Sequence, residues 1–323
     1  MGGGFGGGSG GGRRSRGGGG GGMPNMGGFE NMFGGGGMPN MGGFGGGGGG
    51  QQQQRQQQQR KKEPPVLKDD PSGVAPLGKA KFPDARSKHP WLILFYDKDA
   101  FDEDTTTKKY VSLAKKVSEG VLKKAKNVKN NMIFKVGAVD CNGDVLRFCK
   151  QKLGKGVEVP SFATVFNGSV NVVTDEDVLW NAKKLHDHTI DSLLKIEGLV
   201  VNVNSLQHVQ QRLLNSSPTP GHPSIAILLL TDKYETSSLY ASLAYRHRHD
   251  GFAAFGESRG SNLQLAKQFS VKKYPQLVAL IGSEENVEQY DGTSFDSASL
   301  DKWIDGLYWK HFKKSSSSRR KRA

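Results

Sequence analysis

The run Trp91-Leu92-Ile93-Leu94-Phe95-Tyr96, stopped by Asp97, carries no charged side chain. A strand with one face in water alternates apolar and polar residues, so an unbroken apolar run of this length suits a central strand covered on both faces. A second run of the same kind, Ile225-Ala226-Ile227-Leu228-Leu229-Leu230, lies in the later half of the chain.

Outward from the first run, the apolar spacing changes between helical and strand periods. Tyr110 to about Lys126 reads as a lysine-rich amphipathic helix, with Val111, Ala114, Val117 and Val121 three or four residues apart. Ile133 to Val139 follows as a strand. Val145 to Leu153 is a short helix with Asp144 placed to cap it. Ser161 to Phe166 is a third strand, Asn167-Gly168 a turn, and Thr189 to Ile196 a closing helix. The same order then recurs. Leu199 to Val203 reads as a strand and Leu206 to Leu214 as a helix, followed by a loop at Pro218 to Pro223. After the core strand at 225–230 come a helix at Tyr240 to Tyr245, a strand at Phe252 to Phe255 and a helix at Leu263 to Phe269. A strand at Leu277 to Ile281 and a helix at Leu300 to Tyr308 complete the copy. Strands alternating with helices predict an α/β architecture, and the repeat predicts two copies of one unit.

Composition divides the chain in the same way. Of its 45 glycines, 29 lie in the first fifty positions, where Met23-Pro24-Asn25-Met26-Gly27-Gly28-Phe29 returns as Met38-Pro39-Asn40-Met41-Gly42-Gly43-Phe44. Glutamines interrupted by Arg55 and Arg60 follow. Such segments bury too little apolar surface to offset the entropy of ordering, so residues 1–71 are expected to be a disordered Gly/Phe-rich and Gln-rich region with a linker. The expected domains are then 72–196 and 197–312, with a basic tail at 313–323. The net charge of +14 belongs to the ends. Residues 1–62 carry seven Lys and Arg against Glu30, a net +6, and the tail adds six more cations. The remaining +2 leaves the folded part nearly neutral, which argues against a groove-reading nucleic-acid fold. No apolar run is long enough to span a membrane, and the residues after Met1 show no signal peptide, so the chain is expected to be either unsecreted or truncated at its start.

Several motifs together resemble the thioredoxin superfamily and, within it, the protein disulfide isomerase relatives. The strand at 91–96 is similar to the one leading into the family's redox site. Val139-Asp140-Cys141, Phe148-Cys149-Lys150, Val159-Pro160-Ser161-Phe162 and Phe166-Asn167-Gly168 resemble its second half. In the later copy, Gln268-Phe269-Ser270-Val271-Lys272-Lys273-Tyr274-Pro275-Gln276-Leu277 resembles the approach to the family's cis proline, and Tyr290-Asp291-Gly292 the turn before its last helix. The resemblance covers roughly residues 72–312 and implies a fold of two tandem thioredoxin-like domains, each a central mixed sheet flanked by helices. It also implies cis-proline peptide-binding loops at Val159, Pro160, Tyr274 and Pro275. At Pro160 the fold alone accounts for the feature, and Pro275 is left open. A Gly/Phe-rich stretch before such domains further resembles J-domain co-chaperones. These residues hold no J domain, and His89-Pro90 is followed by Trp91 rather than Asp.

The family's Cys-x-x-Cys would fall near Ala100-Phe101-Asp102-Glu103, making Ala100 and Glu103 its degenerate positions, and in the second copy near Tyr234-Glu235-Thr236-Ser237. Thiol–disulfide exchange needs one thiolate to attack and another to resolve the mixed disulfide, and neither place has a thiol. Cys141 and Cys149 stand where relatives carry a pair, which implies a local structural disulfide; two small reduced core side chains are the alternative. Asn167-Gly168-Ser169 and Asn215-Ser216-Ser217 fit the N-glycosylation pattern. His186-Asp187-His188 and His247-Arg248-His249 lack third and fourth ligands nearby and are expected to be solvated, with no metal and no cofactor. The expected function is a redox-inactive chaperone or co-chaperone of the endoplasmic reticulum lumen, with polypeptides, and through the J-protein likeness an Hsp70 system, as partners. The alternatives are a residual oxidoreductase using Cys141 and Cys149, or an RNA-associated protein of the cytoplasm or nucleus acting through its basic ends, including Arg16-Gly17-Gly18 and Arg319-Arg320-Lys321-Arg322.

Overall fold

The computed structural model describes Leu67 and residues 70–216, 223–260 and 262–313. The Gly-rich and Gln-rich leader, the Arg16 cluster, most of the loop expected at 218–223 and the basic tail beyond Lys313 lie outside the described residues.

The first domain contains β1 (Ala75–Leu77), β2 (Trp91–Tyr96), α1 (Thr105–Lys124), β3 (Lys135–Asp140), α2 (Leu146–Leu153), β4 (Ser161–Phe166), β5 (Ser169–Val172), α3 (Glu176–Leu179) and α4 (Ala182–Leu194). The second contains β6 (Val201–Asn202), α5 (Leu206–Val209) running into a π turn at Gln210–Leu214, β7 (Ile225–Leu230), α6 (Ser238–His247), β8 (Ala253–Ser258), α7 (Leu263–Gln268), β9 (Gln276–Ile281), β10 (Val287–Gln289) and α8 (Ser297–Leu307). Strand order is β1-β3-β2-β4-β5 in one sheet and β10-β9-β7-β8-β6 in the other. In each, three parallel strands are followed by two antiparallel ones, so the two sheets are copies of one arrangement. This is the thioredoxin-like mixed sheet, built twice.

The unbroken apolar runs lie where their composition requires. Alternate residues of a strand point to opposite faces, and both faces of β2 are covered. Leu92, Leu94 and Tyr96 enter the core under α1, while Ile93 and Phe95 enter the one containing both cysteines. In β7, Ile225, Ile227 and Leu229 pack with α6 and α8, and Ala226, Leu228 and Leu230 with α7 and the Gln210–Leu214 turn.

Helix starts differ from the apolar spacing because caps set them. α1 begins at Thr105 rather than Tyr110, since the Asp104 carboxylate accepts from the N–H groups of Thr106 and Thr107. α4 begins at Ala182 rather than Thr189, since Asn181 Oδ1 accepts from Lys183 and Lys184. Asp144 does not cap α2; it lies in a 3-10 turn at Gly143–Val145, and α2 has no side-chain cap. Only Val201–Asn202 of the expected strand at 199–203 pairs, on β8. The short β1, β5, β10 and α3 carry too few apolar positions to show a period.

Helix α6 joins the two domains. Ser242 Oγ donates to Ile133 O at 2.7 Å, Arg246 Nη1 to Asn130 O at 3.0 Å, and Arg248 Nη2 to Ser87 O at 3.2 Å.

Candidate functional site at the two sheet ends

Sheet register brings the sequence-predicted positions together. Phe95 pairs with Ser161 and Tyr96 with Asp140. The loop holding Ala100 and Glu103, the Val159-Pro160 peptide and Cys141 therefore meet at one end of the first sheet. In the second, Leu230 pairs with Gln276 and also with Ser258, so the Tyr234–Ser237 loop, the Tyr274-Pro275 peptide and Arg259 share the equivalent end. The Val159-Pro160 and Tyr274-Pro275 peptides are both cis.

At the first end, Ala100 lies in a 3-10 turn at Asp99–Asp102, and Glu103 follows it. Asp104 then caps α1, and its hydrogen bonds from Thr107 and Thr106 hold the carboxyl below its ordinary range. A helix N-terminus favours negative charge, and here a carboxylate supplies it. Lys98 Nζ lies 3.5 Å from Asp140, and Asn142 Nδ2 donates to Asp99, tying the turn to the end of β3. Burial, with Asp140 beside it, pushes the Tyr96 hydroxyl up to about 12, so it stays neutral.

Cys141 and Cys149 are joined, with S–S 2.10 Å and Cα–Cα 5.9 Å. They are 2% and 1% exposed and pack with Phe95, Val139 and Leu153. Cys141 follows β3, and its N–H donates to Tyr96 O at 2.7 Å. The pair is part of the core beneath the turn. With two cysteines in the whole sequence, no thiol stands at either loop where the family resemblance places a redox pair.

The second end holds a group that sequence reasoning missed. Glu257, on β8, is fully buried. Its Oε1 accepts from Thr236 Oγ1 at 2.5 Å and from Arg259 Nε at 2.7 Å, while Arg259 Nη2 lies 2.6 Å away. Arg259 Nη1 also reaches Tyr234 O at 3.2 Å. A buried carboxylate thus clamps, through one hydroxyl and one guanidinium, the loop where an exchange motif would sit. The legible signal was an acid extending the apolar strand Phe252 to Phe255. The loop presents Tyr234, 80% exposed, packed against Gly260, and Leu263 is exposed nearby on α7.

The remaining predicted positions lie elsewhere. Asn167 sits at the other end of β4, its N–H bonded to Tyr245 Oη and its Oδ1 to Arg248. Asn215 follows the Gln210–Leu214 turn. His186 and His247, expected in solvent, are instead buried at 2% and 5% exposure. Each is held by carboxylate: His186 Nδ1 lies 2.8 Å from Asp187, and His247 lies 3.1 Å from Asp250 and 3.0 Å from Asp301. Asp187 and Asp250 lie within three residues of their histidines, but Asp301 reaches His247 from α8, which local period does not show. Among the described residues no group of three or more His, Cys, Asp or Glu is arranged to hold a metal ion, and no helix is long and apolar enough to cross a membrane.

No protein-family model matches the chain. Over 174 residues it is 27% identical to a Dictyostelium discoideum protein provisionally named a protein disulfide-isomerase, covering 51% of this chain and 39% of that one. The chain thus spans about two fifths of that relative's length. Among solved structures, the zinc-bound form of human ERp44 aligns with 72% of this chain and 60% of its own, at 13% identity and TM-score 0.32. ERdj5 form I aligns with 72% of this chain and 28% of its own, at 17% identity and TM-score 0.30. The thioredoxin-like assignment rests on the strand order and direction of the two sheets.

Proposed function

We propose that the chain is a redox-inactive thioredoxin-fold chaperone or co-chaperone that holds polypeptide during protein folding in the endoplasmic reticulum lumen. One observation carries this reading. Both loops at the redox ends of the sheets lack thiols, and the two cysteines of the sequence are consumed in a buried disulfide. Ala100, Glu103, Thr236 and Ser237 offer neither an attacking nor a resolving sulfur. What these ends retain is a surface: cis-peptide loops at Pro160 and Pro275, with exposed Tyr234 and Leu263 near the second. Extended polypeptide recognition uses exposed backbone with apolar side chains beside it.

The compartment is part of the proposal. A disulfide persists in an oxidising lumen and is rare in the cytosol, and the curated relative's name is that of a disulfide-isomerase. Structural roles for Cys141–Cys149, glycosylation at Asn167 or Asn215, and an Hsp70 system as partner belong to the same reading.

The test is light scattering of a reduced, aggregating client with the full chain at an equimolar ratio, run beside an insulin-reduction assay. Slowed aggregation without turnover supports the proposal. Unchanged aggregation sinks it, and insulin turnover lost in Cys141→Ser would install a residual oxidoreductase instead.

A further inference from the structure

A cavity of about 310 Å³ opens at the end of the first sheet where β2 and β3 begin. Trp91 pairs there with Lys135, about 17 Å along β2 from the Tyr96 end that carries the thiol-free loop. Val74, Met132 and Val136 give the cavity apolar surface, and the Trp91 indole adds an aromatic one. That ring is held in place. Its Nε1 donates to Ser87 Oγ at 3.0 Å, and its edge packs over Gly137, where an added Cβ would meet it at 3.2 Å.

The charges at this cavity do not balance. Lys129 and Lys135 both line it. Lys135 is half-buried, and its ammonium is held below its ordinary range by burial first, then by Arg246 and Lys129, with no carboxylate countering the shift. Among the described residues, neither lysine has a carboxylate within 4.0 Å. Asp70 lines the cavity but is already engaged, with Lys115 Nζ 2.5 Å away and the Ser72 N–H donating to it at 2.8 Å. The Lys135 ammonium lies 5.8 Å from the centre of the Trp91 ring, whose π face attracts a cation without neutralising it. A partly desolvated cation beside two others carries a free-energy cost that an arriving anion relieves.

We propose that this cavity binds a compact aromatic anion, a single ring carrying a carboxylate or a phosphate. The acid meets the Lys129 and Lys135 ammoniums, which act as point charges and accept either group. The ring lies on Trp91, with Met132 and Val136 completing its apolar surroundings. Small-ligand sites have this make-up, mostly apolar walls with a few placed charges, and a cavity of about 300 Å³ suits the smallest of them. The site is separate from the cis-proline ends, so its loss leaves polypeptide binding there unaffected.

Calorimetric titration of the full chain with 3-phenylpropionate, 3-phenylpropionamide and propionate tests this. The first is expected to bind saturably, and loss of its charge or its ring to weaken binding by at least about tenfold. Phenyl phosphate distinguishes the acids: tighter binding than 3-phenylpropionate identifies a phosphate monoester, weaker binding a carboxylate. Lysine acetylation, read residue by residue by mass spectrometry, locates the site. Bound 3-phenylpropionate should protect Lys129 and Lys135 and leave Lys152, on α2, unchanged. Lys135→Met, which keeps the aliphatic stem, should remove the preference for acid over amide. Should that variant fail to fold, titration and protection of the wild-type chain decide alone. No saturable binding of 3-phenylpropionate, equal affinity for its amide or for propionate, or binding that leaves Lys135 unprotected would overturn the proposal.

Discussion

The Asn167 N–H donates to Tyr245 Oη at 2.9 Å, linking the β4–β5 hairpin turn of one domain to α6 of the other. Tyr245 is buried, the Arg248 guanidinium lies 3.2 Å from the centre of its ring, and Arg248 Nε returns to Asn167 Oδ1. Tyr245→Phe keeps the ring and leaves the Asn167 N–H without its partner. It should lower stability by about 1–2 kcal/mol. Urea denaturation, followed separately by probes in each domain, checks this; an unchanged midpoint would mean that the hydroxyl contributes nothing across the seam.

His247 lies between Asp250 and Asp301, with Arg246 and Lys88 also close to those carboxylates. Burial alone would lower its proton affinity, but the hydrogen bonds and charges of the two carboxylates outweigh it and raise the pKa above the ordinary 6.5. A raised folded-state value stabilises the protein fully below the unfolded value and loses that contribution as pH rises through the folded one. His89, pushed down to about 3 chiefly by burial, and His186, also lowered, act oppositely and weaken the fold as pH falls below 6.5. The comparison of wild type with His247→Gln isolates the first effect. The variant's deficit should be larger at about pH 5.5 than at about pH 8.5. A deficit that grows with pH contradicts this pairing.

Removing Arg259 strands a buried charge. Glu257 has no exposure, and its ionic partner is Arg259. Breaking such a pair from one side costs about 3–5 kcal/mol. Arg259→Ala should therefore be strongly destabilising, whereas Arg259→Ala with Glu257→Gln should recover part of the loss. Thermal melting of both proteins measures the difference.

Breaking the Cys141–Cys149 link reopens a nine-residue loop, from Cys141 through Cys149. Chain-entropy arguments give about 2.5 kcal/mol for a closure of this size. Cys141→Ser should be destabilised by that order, and reductant should shift the wild type towards it without affecting the variant. Urea midpoints with and without reductant are the measurement.

Tyr234 and Leu263 are the exposed apolar groups near the second sheet end. Their replacement by serine should leave the melting temperature nearly unchanged, since exposed side chains away from special backbone contribute within about 0.5 kcal/mol. Aggregation suppression should fall if polypeptide is held there. Full suppression by the double variant would move the client surface elsewhere.

How much was legible differs by feature. The core strands at 91–96 and 225–230 were plain because burial on both faces demands unbroken apolar residues. Missing thiols at Ala100, Glu103 and Tyr234–Ser237 were plain because chemistry without sulfur cannot be hidden by folding. The helix starts at Thr105 and Ala182 were less plain, since Asp104 and Asn181 set them through capping bonds outside the apolar period.

By itself, then, the sequence determined the repeated α/β unit and the absence of an exchange motif. Both depend on residue type and local period, which a chain displays before it folds. Tertiary structure alone decided the environments of single polar groups. It buried His186, His247 and Glu257, set Tyr245 against Asn167 and left Asn131 Oδ1 shielded without a hydrogen-bond partner. Those outcomes depend on partners many residues away, and no local pattern records which distant group will arrive.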